Sequence, residues 1–243
     1  DWRELSILAK FLVQIIATSL LIFFGIRTQI VYIGFLANII ITFIWVLGIS
    51  NAFNHLDVID GLASGTAIIV SCAFFIISFL GGDIKNAILV LALSGAIFSF
   101  FIYNLPPAKI YMGNSGSHFL GFVLAAIALA ISYASLERKV ALLSPLLILG
   151  FPIFDTIFLI LMRLKQGRSV FKKSNDHLAL RFLKLGYSKI KTLLFMLMVA
   201  LFFSFCGIVI SQVSNQWGIT TIAFVVLVIF VLTKKMGKYK YNA

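Results

Sequence analysis

Leu62-Ala-Ser-Gly-Thr-Ala-Ile-Ile-Val-Ser-Cys-Ala-Phe-Phe-Ile-Ile-Ser-Phe-Leu80 holds no charged residue and no proline. A helix needs about 20 predominantly apolar residues to cross roughly 30 Å of hydrocarbon, and this run has that length. Similar segments lie on both sides of it, at about 5–26, 30–50, 84–104, 117–135, 140–162, 192–212 and 217–233. The pattern predicts an all-α, polytopic transmembrane helix bundle of about eight spans, forming one integral membrane domain over residues 1–243. Composition agrees: 61% of residues are hydrophobic and 12% charged, with a mean hydropathy of +1.09, whereas a soluble domain carries about 25% charged residues. Helices satisfy their own backbone hydrogen bonds in lipid, and the alternation that a transmembrane barrel would show is absent. Cys72 and Cys206 fall inside apolar runs and read as small buried side chains.

The net charge of +12 is not that of a nucleic-acid binder, because the basic residues sit between apolar runs rather than on a water-facing fold. Lys and Arg are retained on the cytoplasmic side of a membrane. With the N-terminus inside, sixteen of them fall on that side, nine in the long connection 163–191, and only Arg27, Lys85, Arg138 and Lys139 fall outside. The same assignment puts Asp1, Glu4, Asp57, Asp60 and Asp176 inside, with Asp155 in a span about two turns from its cytoplasmic end. The chain opens on Asp1-Trp2-Arg3-Glu4 directly before an apolar run, without an initiator methionine, and reads as N-terminally incomplete.

Three inner connections carry the polar chemistry. The first, Asn51 to Gly65, places Asn51, Asn54, Asp57 and Asp60 at a spacing of three. Such a stripe drifts around an α-helix and stays on one face of a 3₁₀ turn. Asp60 could simply cap the next helix, but two carboxylates and two amides at a membrane boundary exceed that need. The second runs from Pro106 to His118. Its prolines end a helix, Gly113 and Gly116 permit a tight turn with exposed N–H groups, and Ser117 could cap the following helix. A turn of this kind at a helix N-terminus suits phosphate, although Gly113-Asn114-Ser115-Gly116 is also an ordinary turn. The third, Arg163 to Lys191, is basic enough to meet anionic lipid without any substrate. His177, near Asp176 and Arg181, can bind phosphate or move a proton, though a lone surface histidine is usually incidental. His55 and His118 read as structural. Asp155 is an acid within a span, so a functional or paired role is its default.

In this order the segments resemble the polyprenyl-phosphate N-acetylhexosamine-1-phosphate transferases (glycosyltransferase family 4), which include the WecA, TagO and MraY enzymes. Asp1-x-Arg3-x-Leu5-Ser6-x-x-x-Lys10-x-x-x-Gln14 is similar to the stretch after the family's opening aspartate pair, with Asp1 as the second aspartate. Asn51-x-x-Asn54-x-x-Asp57-x-x-Asp60-Gly61-Leu62-Ala63 resembles the nucleotide-site motif, and Ala108 to Ser117 the metal-site motif. Pro152 to Thr156, Arg163, Gly167-Arg168-Ser169 and His177 resemble the last inner segment. Three departures stand out: the metal-site aspartate is Asn114, two positions usually occupied by histidine are Ala179 and Leu180, and the first aspartate of the opening pair is absent. A neutral oxygen holds Mg²⁺ less strongly than a carboxylate.

The resemblance implies transfer of a sugar 1-phosphate, GlcNAc-1-phosphate by preference, from a UDP-N-acetylhexosamine to undecaprenyl phosphate, with release of UMP, for cell-envelope polysaccharide synthesis. It implies Mg²⁺, replaceable by Mn²⁺, a bacterial plasma-membrane location with the site on the cytoplasmic face, and room for a homodimer. Asp1, Asp57, Asp60 and His177 would form the catalytic set, with Asp1 as the base on lipid phosphate. Asn114 would contact Mg²⁺, helped by Asp57 or Asp60. Asn51, Asn54, Lys109, Gly113, Ser115 and Arg181 would bind substrate. Two other readings stay open. A transporter or lipid flippase would carry ionisable residues near the midplane, a pattern that only Asp155 approaches. A family member that binds nucleotide sugar or lipid without turnover is motivated by Asn114, Ala179 and Leu180.

Overall fold

The computed structural model describes residues 6–133, 138–167 and 177–237, and every regular element among them is helical. Six helices are long and apolar enough to span a membrane: α2 (Gly34–Leu56), α3 (Leu62–Leu80), α4 (Ile84–Asn104), α5 (Gly113–Ala130), α9 (Lys189–Gln212) and α10 (Asn215–Gly237). A shorter apolar helix, α1 (Ile7–Phe23), precedes them. The remaining apolar run is broken: a 3₁₀ turn (Lys139–Leu143) and α6 (Ser144–Ile148) meet α7 (Gly150–Lys165) at an angle of 69°. Counting α1 and the bent pair, the bundle has the expected number of apolar segments.

The break has a local cause. Pro152 has no N–H to offer the carbonyl of Ile148 four residues earlier, and its ring crowds that position. Ser204 on α9 donates its hydroxyl to the orphaned Ile148 carbonyl at 3.1 Å. Glycines then let α9 close on the bend: a Cβ on Gly150 would lie 2.5 Å from the Phe203 ring, and one on Gly207 2.9 Å from the Ile148 backbone nitrogen.

Helix ends depart from the apolar runs in a way that matters for the site. α2 continues past residue 50 to Leu56, and α5 begins at Gly113 rather than 117. Polar side chains end a hydropathy run without ending the backbone hydrogen-bond ladder. Asn51, Asn54, Asn114 and Ser115 therefore sit on helix ends, not in loops. Part of the long basic connection is also helical, as α8 (Leu178–Lys184).

Two apolar cores hold the bundle together. One joins α2, α3 and α5 through Phe53, Phe74 and Leu124, and the other packs α7, α8 and α9 against the start of α3 through Leu62, Phe154, Phe158 and Phe203. Large apolar side chains also cover the outside, among them Leu36, Ile88 and Phe205, as lipid-facing surfaces require. Cys206 is buried as expected, but Cys72 is exposed on the outer face of α3, its Sγ 3.6 Å from the Ser94 hydroxyl.

Candidate active site

Every third residue on an α-helix steps back by about 60° around the axis, so the polar stripe of α2 cannot present one face. Asn51 points to α1, donating to the Gln14 side-chain oxygen at 3.1 Å and to its own helix at Leu47 O at 2.7 Å. Asn54, one turn on, points to α5 and donates to Asn114 Oδ1 and Ser117 Oγ, both at 3.0 Å. Asp57 follows the last helical residue, and its carboxylate accepts the N–H of Gly113. Asp60 lies in the turn beyond and accepts the Ala108 N–H at 3.3 Å. The first polar segment thus clasps the second along its whole length, and only Asn51 stands apart from that clasp.

Neither Asp60 nor Ser117, the two residues that could have capped a helix, does so. The residue before α3 is Gly61, in the left-handed region at φ +80, while Asp60 is drawn to Ala108 instead. Only glycine adopts that backbone readily. Ser117 lies within α5, because the helix starts earlier; it is fully buried, donates to Gly113 O at 2.8 Å and accepts from Asn54. The link between the two turns is completed by Asn104, which the sequence reading passed over. Its Oδ1 accepts from Gly61 N–H at 3.1 Å and Ser64 Oγ at 2.8 Å, and its amide donates to Ile110 O at 2.9 Å. An asparagine at the end of an apolar run, 3% exposed, was the available signal, since buried amides must be fully bonded.

Electrostatics at the clasp favour a cation. Burial and the neighbouring Asp60 carboxylate push Asp57 up to about 6 against the partial relief of the Gly113 N–H. Two carboxylates resist joint ionisation here, and with the Asn114 amide oxygen they supply oxygen donors of the kind that could hold Mg²⁺. Among the described residues there is no group of three or more His, Cys, Asp or Glu side chains that could hold a metal ion. A metal here would draw remaining ligands from water and phosphate, as Mg²⁺ habitually does. Lys109 is exposed at the rim, as is Ser115.

The third segment is anchored rather than free. Asp155, in the second turn of α7, accepts the Leu178 N–H at 3.0 Å through one oxygen and faces His177 Nδ1 at 3.0 Å through the other. His177 is 5% exposed, not a surface residue. Asp155 makes Nδ1 the donor and leaves Nε2 as the working edge. The His55 ring lies 5.9 Å from that of His177, so His55 faces this cluster. Arg181 is buried with its guanidinium 5.2 Å above the Phe158 ring. Ala179 packs in the second core and cannot stand in for a polar ligand. Asp1, Arg168, Ser169 and Asp176 lie outside the described residues.

Beside the clasp, a cavity of ≈ 390 Å³ opens between α1 and α5, lined by Lys10, Gln14, Ser50, Asn114, Ser115 and His118 with apolar walls from Val13, Ala17, Phe119 and Phe122. Val13 and Phe119 are exposed, so the cavity opens onto the apolar outer surface of the bundle.

The model of glycosyl transferase family 4 matches residues 1–132. The chain is 30% identical over 236 residues to a "Probable undecaprenyl-phosphate N-acetylglucosaminyl 1-phosphate transferase" of Bacillus subtilis (strain 168), covering 94% of this chain and 65% of that protein. It is 34% identical over 216 residues to a "Decaprenyl-phosphate N-acetylglucosaminephosphotransferase" of Mycobacterium tuberculosis (strain ATCC 25618 / H37Rv), covering 77% and 54%. A "Phospho-N-acetylmuramoyl-pentapeptide-transferase" of Streptococcus pneumoniae (strain CGSP14) is 42% identical over 93 residues, or 38% of this chain and 28% of that protein. The chain thus spans between about half and two thirds of the first two relatives' length. With more than half of its residues inside the family match, and the matched motifs joined in one clasp, the chain belongs to glycosyl transferase family 4.

Proposed function

We propose that the protein transfers N-acetylglucosamine 1-phosphate from its UDP ester to undecaprenyl phosphate at the cytoplasmic face of a bacterial plasma membrane. An oxygen of the lipid phosphate attacks the phosphorus that bears the sugar. The bond to the bridging pyrophosphate oxygen breaks, and UMP leaves. The observation that carries this reading is the clasp of Asn54 on Asn114, Asp57 on Gly113 and Asp60 on Ala108, beside a cavity open to lipid. It sets an anion-handling turn and an acidic pair where a water-soluble and a lipid-soluble phosphate can meet. The names of the Bacillus and Mycobacterium relatives support the sugar and the polyprenyl acceptor.

Phosphoryl transfer is mostly positioning and charge compensation. Asn114 Oδ1, Asp57 and Asp60 would hold Mg²⁺, which neutralises charge on the pyrophosphate. Lys109 and Arg181 add fixed positive charge, and His177, as an imidazolium, would donate Nε2–H to a phosphate oxygen. Asp1 is assigned to the lipid phosphate by resemblance. The inward orientation rests on the sixteen-to-four bias of Lys and Arg.

A second reading, binding without turnover, is favoured by one observation: the metal-site position is a neutral amide whose oxygen already accepts from Asn54. The test supplies undecaprenyl phosphate, Mg²⁺ and a panel of UDP-N-acetylhexosamines to the full-length protein and measures UMP. The wild type is expected to release UMP with UDP-GlcNAc, and Asn114→Asp to lower the Mg²⁺ concentration needed. No UMP from the wild type with any donor, together with turnover by Asn114→Asp, would establish the second reading.

A further inference from the structure

The cavity between α1 and α5 contains a histidine whose proton can be located from its neighbours. The backbone carbonyl of Leu47 can only accept. It takes a hydrogen from the Asn51 amide at 2.7 Å, which fixes that amide's orientation. The same Asn51 nitrogen then donates its other hydrogen to Gln14 Oε1 at 3.1 Å. Gln14 is thereby oriented too, and its nitrogen faces His118 Nδ1 at 3.1 Å as a donor. Turning Gln14 over would set two NH₂ groups against each other. Ser50 does not compete, because its hydroxyl donates to the His118 carbonyl at 2.9 Å and lies 3.4 Å from Nδ1. Nδ1 is therefore an acceptor, and an imidazole that accepts at one nitrogen carries its proton on the other.

Nε2–H is thus a directed donor. It has no hydrogen-bond partner among the described residues and is not sealed from the cavity. Its surroundings state what it could meet. Asn114 sits one helical turn before His118 on the same cavity wall, Lys10 brings a positive charge, and Val13, Ala17, Phe119 and Phe122 make the rest apolar. Donors and a cation at one end of a lipid-open apolar cavity fit a phosphate monoester on a long hydrocarbon tail. A nucleotide, with its ribose and base, has no polar partners along those walls.

We propose that His118, held in its Nε2–H form by Gln14 and Asn51, is a hydrogen-bond donor to the phosphate of the lipid acceptor, seated in the α1–α5 cavity. This rests on the transferase reading for the identity of the lipid, but not for the site. His177 is its opposite: there the acidic partner claims Nδ1 as donor, and Nε2 of the neutral ring is left to accept.

The test compares His118→Leu, His118→Gln and His118→Asn in the full-length protein. Glutamine extends an amide donor to the place of Nε2, asparagine reaches only as far as Nδ1, and leucine offers none. Binding of undecaprenyl phosphate and of undecaprenol is measured by native mass spectrometry, and uridine-nucleotide sugar binding by calorimetry. A lost hydrogen bond to a charged group corresponds to a weakening of roughly ten- to hundredfold. That loss is expected for the phosphate with leucine and asparagine, glutamine retaining most of the affinity, and with undecaprenol and UDP-GlcNAc unaffected in all three. Equal phosphate affinity in the glutamine and asparagine variants would overturn the proposal, and so would a loss confined to UDP-GlcNAc, which would assign the donor to the other substrate. Should leucine fail to fold, the glutamine–asparagine pair decides. A wild type that prefers the phosphate over the alcohol, yet releases no UMP, would sink the transferase reading and leave the His118 site supported.

Discussion

Replacing Gly121 by alanine should damage the site from a distance that can be worked out. Gly121 lies on α5 where that helix crosses α2. An added Cβ would fall 2.7 Å from Ser50 Cα and 2.8 Å from the Ile49 carbonyl oxygen. Both are backbone atoms inside α2, so neither can swing aside as a side-chain tip would. Ordinary contact begins at 3.4 Å, so α5 must retreat by the difference from 2.7 Å, which is 0.7 Å. The Asn54–Asn114 bond bridges the same two helices at 3.0 Å. The same retreat along that bond lengthens it to about 3.7 Å, beyond hydrogen-bonding range. Overpacking costs about 1–3 kcal/mol, and each lost neutral hydrogen bond about 1 kcal/mol more. Displacement of reacting groups by about an ångström can cost on the order of a hundredfold in rate. The assay is UMP release alongside thermal unfolding in one detergent. Gly48→Ala serves as control, because its Cβ would meet nothing within 4 Å. Expected is a stability loss of about 2–4 kcal/mol and at least a roughly tenfold fall in kcat for Gly121→Ala, with Gly48→Ala unchanged or slightly stabilised. Wild-type kcat and Tm in Gly121→Ala would refute the claim that this crossing sets the site.

Other outcomes are equally direct. Asp57 is raised from 3.8 to about 6 in the folded protein, so the folded state holds a proton that the unfolded chain releases. Its contribution is fully present below 3.8 and is lost as pH rises through about 6. In chelator, Tm should fall as pH rises from about 4 to about 6 and level off above that, and Asp57→Asn should flatten that slope; identical slopes would remove the basis for the acidic pair. Asp155→Ala deletes both acceptors that hold Leu178 and His177. Removing one partner of a buried pair costs about 3–5 kcal/mol, so denaturant unfolding should show a loss of that size, and proteolysis of the basic connection should accelerate. An unchanged cleavage rate would show that Asp155 does not tether the segment.

Much of this was legible in one dimension. Span length and apolarity depend on transfer from water to hydrocarbon, which acts on each residue separately, so the helical bundle and its number of apolar segments could be counted along the chain. The order of the motifs around Asn54, Asp57, Asp60 and Asn114 was equally visible, as was the exceptional cost of Asp155. Even the bend at Leu149 had a signal in Pro152, though it read as a continuous span from 140 to 162 because hydropathy does not register a missing N–H.

What only the tertiary structure decided was which faces meet. Asn51 and Asn54 are three residues apart and alike in chemistry, yet one bonds α1 and the other α5, because the rotation between them turns them to different neighbours. Gln14 and Asn104 were single polar residues in apolar runs until packing gave them partners. His118 read as structural because its role depends on Leu47, Asn51 and Gln14, which lie 67 to 104 positions away and act in sequence through hydrogens that only fixed geometry can orient. Hydrophobicity selects the solvent and the fold class; hydrogen-bond direction and helix rotation select the site.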